Sequence, residues 1–290
     1  RNKKFNVMDA YNQAINKAIG ADDLDENTLS VERIEKDLQI DRIVPVFKER
    51  FHSAKDFDFV LVGDFDIDSI QAFVEQYIAA LPTGYYRSEQ RIPAYKQRQD
   101  QEIVQYAGQA EKATVNLFYQ TTSTHYDYPE ILKNELLENV LKVKLRKNLR
   151  EEQSGVYGVG VSVSATSEPT DLMRTRINFT CEPSRAEFLI GQVQVELDKI
   201  VKDPSYFVEE LNNAKVQMYQ VYDKQFGKDT FWSAELRNHI YYGFGTWSFF
   251  TSYKQMLDQI KAADIADYAK QKLSKAYKVK AVLLPENLKK

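Results

Sequence analysis

Cysteine is nearly absent from this 290-residue sequence, with Cys181 standing alone. No disulfide can close within the chain, and no thiolate cluster can hold zinc. Cys181 ends the alternating run Arg176-Ile177-Asn178-Phe179-Thr180-Cys181, which predicts a small buried strand residue. Histidine is scarce as well. His52, His125 and His239 are scattered, and none begins an H-x-x-E-H zinc helix, so the sequence itself offers no metal ligand set. An excess of charge of one sign is also missing: the net charge of −3 gives no electrostatic case for nucleic acid or an anionic membrane. No apolar run approaches the ~20 residues of a membrane span. No Ser/His/Asp order stands out as a triad. Gly155, Gly158 and Gly160 alternate along a strand without the helix start that a phosphate cradle requires.

What remains has the composition of a globular protein, 43% hydrophobic and 28% charged, long enough for one large domain or two modest ones. The 18 Tyr and 16 Phe suit sheet cores, and also peptide-binding surfaces. The chain opens on Arg1 and not on Met, the expectation for a piece of a longer polypeptide, so its compartment stays open.

Hydrophobic periodicity sets out the elements. Phe5, Met8, Ile15 and Ile19 recur at helical spacing. The acidic stretch 21–27 follows as a solvated linker. A second helix runs to Phe51 with an interruption near Pro45, and Phe57–Val62 predicts a strand with a buried centre. Asp66 or Asp68 caps the next helix, whose apolar face includes Ile70, Phe73, Val74, Tyr77 and Ile78. Residues 83–101 are polar and form the best linker candidate. Beyond them come strands Glu102–Tyr106 and Ala113–Thr121. A helix over Tyr128–Arg150 then carries the stripe Leu137, Leu141, Leu145, Leu149. Strands Val156–Ala165 and Arg174–Cys181, a series of helices, and a last helix and strand over Asp264–Leu284 complete the chain. Residues 41–63 and 264–285 repeat one helix–turn–strand order at a shift of about 222 residues, the sign of an internal α/β repeat.

The richest stretch is Leu149–Ser164, which sets Arg150 seven residues before Tyr157 at the start of a strand. A guanidinium and a phenol both donate hydrogen bonds to a carbonyl oxygen that gains negative charge. Each also has a plain structural reading. Arg150 suits a last helical turn, where it could pair with Glu151 or Glu152. Tyr157 lies in register with Val159, Val161 and Val163 and could fill the core. The three glycines clear one face of the strand for close approach of a peptide or a neighbouring chain.

Three phrases carry a family resemblance. Phe57-Asp58-Phe59-Val60-Leu61-Val62-Gly63-Asp64-Phe65-Asp66, followed by a helix and Tyr77-Ile78-Ala79-Ala80-Leu81-Pro82, resembles the close of a repeat domain in pitrilysin/insulinase zinc metalloproteases. Leu149-Arg150-Glu151-Glu152 with Ser154-Gly155-Val156-Tyr157 is similar to the signature of that family's last domain, and Val282-Leu283-Leu284-Pro285-Glu286 to its ending. The resemblance implies an α+β fold of repeated domains, antiparallel β-sheets backed by helices, of the pitrilysin/mitochondrial processing peptidase type. It implies the last part of a truncated third domain over 1–100 and a fourth domain over 101–290. It also implies the C-terminal half of a zinc endopeptidase, whose zinc belongs to the missing N-terminal half or a partner subunit. In that setting Arg150 and Tyr157 complete the active site, and Gly158, Val159, Gly160 and Val161 bind peptide substrate. The rival expectation is a non-catalytic scaffold or peptide-binding subunit of the same fold. A soluble protein is expected, periplasmic if the source is a Gram-negative bacterium.

Overall fold

The computed structural model describes residues 7–20, 34–36, 38–84, 98–122, 126–167 and 171–289. Phe5, the acidic stretch 21–27, most of the linker (85–97) and His125 lie outside the described residues. Contacts group the chain into two units, one over 1–23, 93–222 and 244–290, the other over 24–92 and 223–243.

The first unit is built on a five-stranded sheet. In chain order the strands are β1 (Gln101–Tyr106), β2 (Ala113–Thr122), β3 (Val156–Thr166), β4 (Leu172–Cys181) and β5 (Tyr277–Leu284). In space they run β1-β5-β2-β4-β3. All pairings are antiparallel except β1 with β5, which is parallel. The sheet is thus mixed, and its one parallel pair joins segments more than 170 residues apart, beyond the reach of local pattern. With its helices it is the expected α+β architecture.

Helices α4 (Tyr128–Arg146), α5 (Ala186–Lys202) and α9 (Ala262–Leu273) pack together against one face of the sheet. The α4 stripe faces inward as the spacing predicts: Leu137, Leu141, Leu145 and Leu149 are all fully buried. Asp127 caps α4 by accepting the Glu130 N–H at 2.9 Å, and Pro129 sits in its first turn, where no amide proton is needed. Ile177, Phe179 and Val161 meet this layer, and Cys181 is buried at the end of β4.

The opposite face is covered at β5 and β2 by α1 (Val7–Ile19). Tyr11, Ile15, Ala18 and Ile19 pack on Phe118, Val279, Ala281 and Leu283. The Tyr11 hydroxyl donates to the Ala281 carbonyl at 2.8 Å and accepts from the Asn116 amide at 3.2 Å. Burial lifts this phenol to about 12, so it stays a donor. β2 is therefore buried on both faces, Val115 and Leu117 toward one helix layer and Phe118 toward α1.

In the second unit α2 (Ile40–Arg50) continues through Pro45 without the expected interruption, although an interior proline removes one helix bond and crowds the carbonyl of Asp41. Asp66 caps α3 (Ile67–Phe73), and the Ser69 hydroxyl and amide hold its carboxyl below the usual range. The expected strand Phe57–Val62 is not formed. It has no ladder partner among the described residues, and Phe57, Phe59 and Leu61 are exposed. None of the large apolar side chains over 38–84 is buried. Helix α7 (Asp229–Tyr241) also belongs to the second unit, whereas α8 (Phe249–Gln259) and most of α6 (Val208–Phe226) belong to the first.

Candidate functional site

The Leu149–Ser164 stretch begins where α4 ends. The α-helix stops at Arg146, four residues before the predicted end, and widens into a π-turn over Lys147–Glu152. The Gln153 N–H donates to the Asn148 carbonyl and the Gly155 N–H to the Leu149 carbonyl, each at 3.0 Å. Such single π-turns concentrate at functional positions. Here the wider turn keeps Asn148 and Leu149 buried while Arg150 points to solvent.

Two polar locks hold the turn. The buried Glu196 carboxylate on α5 accepts from Asn148 Nδ2 at 3.0 Å, from Lys199 Nζ at 2.7 Å and from the Tyr206 hydroxyl at 2.7 Å. Burial, followed by the Glu196 carboxylate, pushes the Tyr206 phenol well above its ordinary range and keeps it a donor. Arg185 donates to the Gln153 carbonyl at 2.9 Å from below the loop. Between Arg150 and Tyr157 the backbone is also strained, with Ser154 at φ +47 in the left-handed region that favours glycine. Gly155 follows because a Cβ there would lie 2.6 Å from the Leu189 side chain.

A β-bulge then redirects Tyr157. Val156 pairs with Cys181 and Val159 with Phe179, so β3 spends three steps where β4 spends two. The extra residue reverses the side-chain alternation, leaving Val156, Val161 and Val163 buried and Tyr157 90% exposed. The core reading of Tyr157 fails on this one-residue shift. Arg150 is likewise exposed, and neither residue makes a hydrogen bond or ion pair with the described residues. Arg150 is thus not paired with Glu151 or Glu152. Two donors are presented to solvent at the two ends of one held loop.

β3 is the last strand of the sheet, so one of its edges has no ladder partner among the described residues. The Val163 N–H faces that edge, since it donates to Glu138 Oε2 at 2.7 Å and not to β4. By the two-residue period, Val159 and Val161 turn their backbone groups to the same edge. Gly160 and Ser162 turn theirs to Asn178 and Arg176 of β4. Of the four positions expected to bind peptide, Val159 and Val161 therefore offer main-chain groups. Gly158 lies in the bulge with open space around it, and Gly160 makes room for the Asn178 side chain. Sequence reasoning missed Glu138, Arg185 and Glu196, each of which acts on a residue distant in sequence. The bulge did have a signal, the glycines at 158 and 160 within a strand.

Among the described residues no group of three or more His, Cys, Asp or Glu is gathered to hold a metal ion. His52 is exposed, with Nδ1 2.7 Å from the Glu49 carbonyl oxygen, and His239 is buried near the end of α7. This donor set does not fit a zinc ion. No helix among the described residues is long and apolar enough to cross a membrane. Phe244, in the aromatic-rich segment Tyr241–Trp247 at the end of α7, packs on the Tyr128 ring at 4.5 Å.

Residues 44–218 match the family model described as the peptidase M16 inactive domain. A probable zinc protease PqqL of Haemophilus influenzae is 24% identical over 194 residues, covering 64% of this chain and 21% of that protein. The crystal structure of the periplasmic protease PqqL from Escherichia coli superposes with a TM-score of 0.75 at 20% identity, over 96% of this chain and 32% of that one. A peptidase M16 inactive domain from Pseudomonas fluorescens gives 0.69 at 15% identity, over 97% of this chain and 72% of that one. The chain thus spans about a fifth of the H. influenzae protein and a third of the E. coli one.

Proposed function

The chain belongs to the peptidase M16 inactive domain family, and from that premise we propose that it is the metal-free half of a zinc-dependent endopeptidase. The zinc of such an enzyme would be held by the other half, in the same polypeptide or a partner subunit. The observation that carries the reading is the exposure of Tyr157 by the bulge, next to a strained loop tied down by Glu196 and Arg185. A fold needs no such arrangement for its own stability. A phenol and a guanidinium fixed in this way suit a carbonyl oxygen as it becomes tetrahedral and anionic. The edge of β3 beside them suits an extended peptide, which would add as a further strand through Val159 and Val161.

The remaining part of the chain supports the same setting. Residues 38–84 expose Ile40, Phe47, Phe51, Phe59 and Phe73 at 47–69%. They are the apolar side of an incomplete α/β unit, the closing part of a repeat domain whose other strands lie elsewhere in the longer protein. A periplasmic setting follows if the source is like that of the E. coli protease.

The test is Tyr157→Phe in the full-length protein. Losing one preorganised donor lowers turnover by about 10²–10³-fold, on the order of 3–4 kcal/mol. Zinc content stays unchanged, because in this reading the zinc ligands belong to the other half. Wild-type turnover in that variant would overturn the catalytic role and leave the scaffold reading.

A further inference from the structure

We propose that Glu138 is the stop of the peptide-binding edge, fixing how far a bound strand can extend along β3. The inference rests on the reading of β3 as that edge. Along it the main-chain groups of Val159, Val161 and Val163 face outward, each pair about 6.6 Å apart at the strand rise. The third is already taken: Glu138 Oε2 accepts the Val163 N–H at 2.7 Å. The other oxygen of the same carboxylate is held at 2.5 Å by Lys142 Nζ, one helical turn along α4. The carboxylate cannot leave without breaking both contacts.

An incoming strand places a carbonyl oxygen at each outward N–H. At Val163 that oxygen would meet a carboxylate oxygen instead of a proton, and like partial charges repel. The strand therefore pairs at Val159 and Val161 and leaves the sheet before Val163. Glu138 is in this sense a specificity-determining residue. It limits the paired part of the substrate on the side of the bulge away from Tyr157, whatever side chains the substrate carries. The ligand is an extended peptide recognised by its main chain, with a short paired segment.

The experiment is residue-resolved amide hydrogen exchange on the 290-residue chain. Its probes are two capped synthetic peptides of alternating Thr and Val, four and eight residues long, each with one Lys for solubility. In the wild type both peptides slow exchange at Val159 and Val161 and leave Val163 unchanged, since its proton is already bonded. In Glu138→Ala the Val163 amide exchanges faster in the free chain by on the order of tenfold. The eight-residue peptide then slows it and binds about five- to tenfold more tightly, while the four-residue peptide gains nothing. Glu138→Gln keeps an amide oxygen for the Val163 N–H and behaves as the wild type. If Val159 and Val161 are slowed in every variant but Glu138→Ala changes neither Val163 nor the affinity of the longer peptide, the stop is refuted. If neither peptide slows Val159 or Val161 in any variant, the edge-binding reading fails, and the stop falls with it.

Discussion

Glu196→Ala removes the group that ties the π-turn to α5, and its cost can be worked from the contacts. The carboxylate is 1% exposed and accepts three hydrogen bonds, from Asn148, Tyr206 and Lys199. Lys199 is half-exposed and regains water when released, so its loss costs little. Asn148 is buried and the Tyr206 hydroxyl partly so; each left without its acceptor costs about 1–3 kcal/mol. Against this, the variant no longer desolvates a carboxylate, which returns part of the loss. The balance is about 3–5 kcal/mol, the range for removing one member of a buried charged network. For a unit of this size that lowers Tm by roughly 10 °C. Glu196→Gln keeps one acceptor oxygen and the volume, and costs about 1–2 kcal/mol. Urea unfolding followed by far-ultraviolet circular dichroism measures both. Amide exchange adds a local readout, since the Gln153 and Gly155 protons bonded to the turn should exchange faster in Glu196→Ala. A loss below about 1 kcal/mol, with those two amides unchanged, would refute the claim that Glu196 holds the Arg150 turn.

Three further outcomes follow from the packing. Lys272 and Glu130 form a buried pair at 2.7 Å, so Lys272→Met alone should cost about 3–5 kcal/mol, whereas Lys272→Met with Glu130→Leu should come within about 1–2 kcal/mol of wild type in urea unfolding. A Cβ at Gly155 would lie 2.6 Å from Leu189 and one at Gly158 would meet nothing, so Gly155→Ala should cost about 1–3 kcal/mol and Gly158→Ala within about 0.5, by thermal unfolding. Burial raises the Cys181 thiol to about 11, so iodoacetamide at pH 8 should label it far more slowly in the native chain than in urea.

The elements with strong local period were legible in the sequence. The Leu137–Leu149 stripe and the strands over 113–121, 156–165 and 174–181 stand where the pattern puts them, because side-chain alternation and the 3.6-residue turn are properties of short segments. Strand order was not legible. The parallel β1–β5 pair and the second burial face of β2, at Phe118, are set by α1 and by segments far along the chain. The helix–turn–strand echo was half realised: α9 leads into β5, but the matching segment after α2 forms no strand, since a strand exists only with a partner. At the candidate site, Arg150 and Tyr157 stood out in the sequence as donors, but their presentation to solvent did not. The run Val-Tyr-Gly-Val-Gly-Val alternates well enough to hide a single extra residue, and that residue decides between core and solvent.

The energetics of the loop separate what is built from what is offered. Leu149, Asn148 and Val156 are buried, and Glu196 and Arg185 bond the loop from behind, so the backbone is held by interactions that involve neither exposed donor. Arg150 and Tyr157 are exposed and add no hydrogen bond or ion pair to it among the described residues. Donors that the fold's own bonding leaves unused are available to another molecule, the role proposed for these two. The strain at Ser154, of order 1–3 kcal/mol, has the same meaning. A relaxed connection would join α4 to β3 at lower cost, but it would not point two donors outward beside a strand edge that has no ladder partner among the described residues. The locks hold the loop while Arg150 and Tyr157 stay unbonded among the described residues, the division of labour that the proposed split site requires.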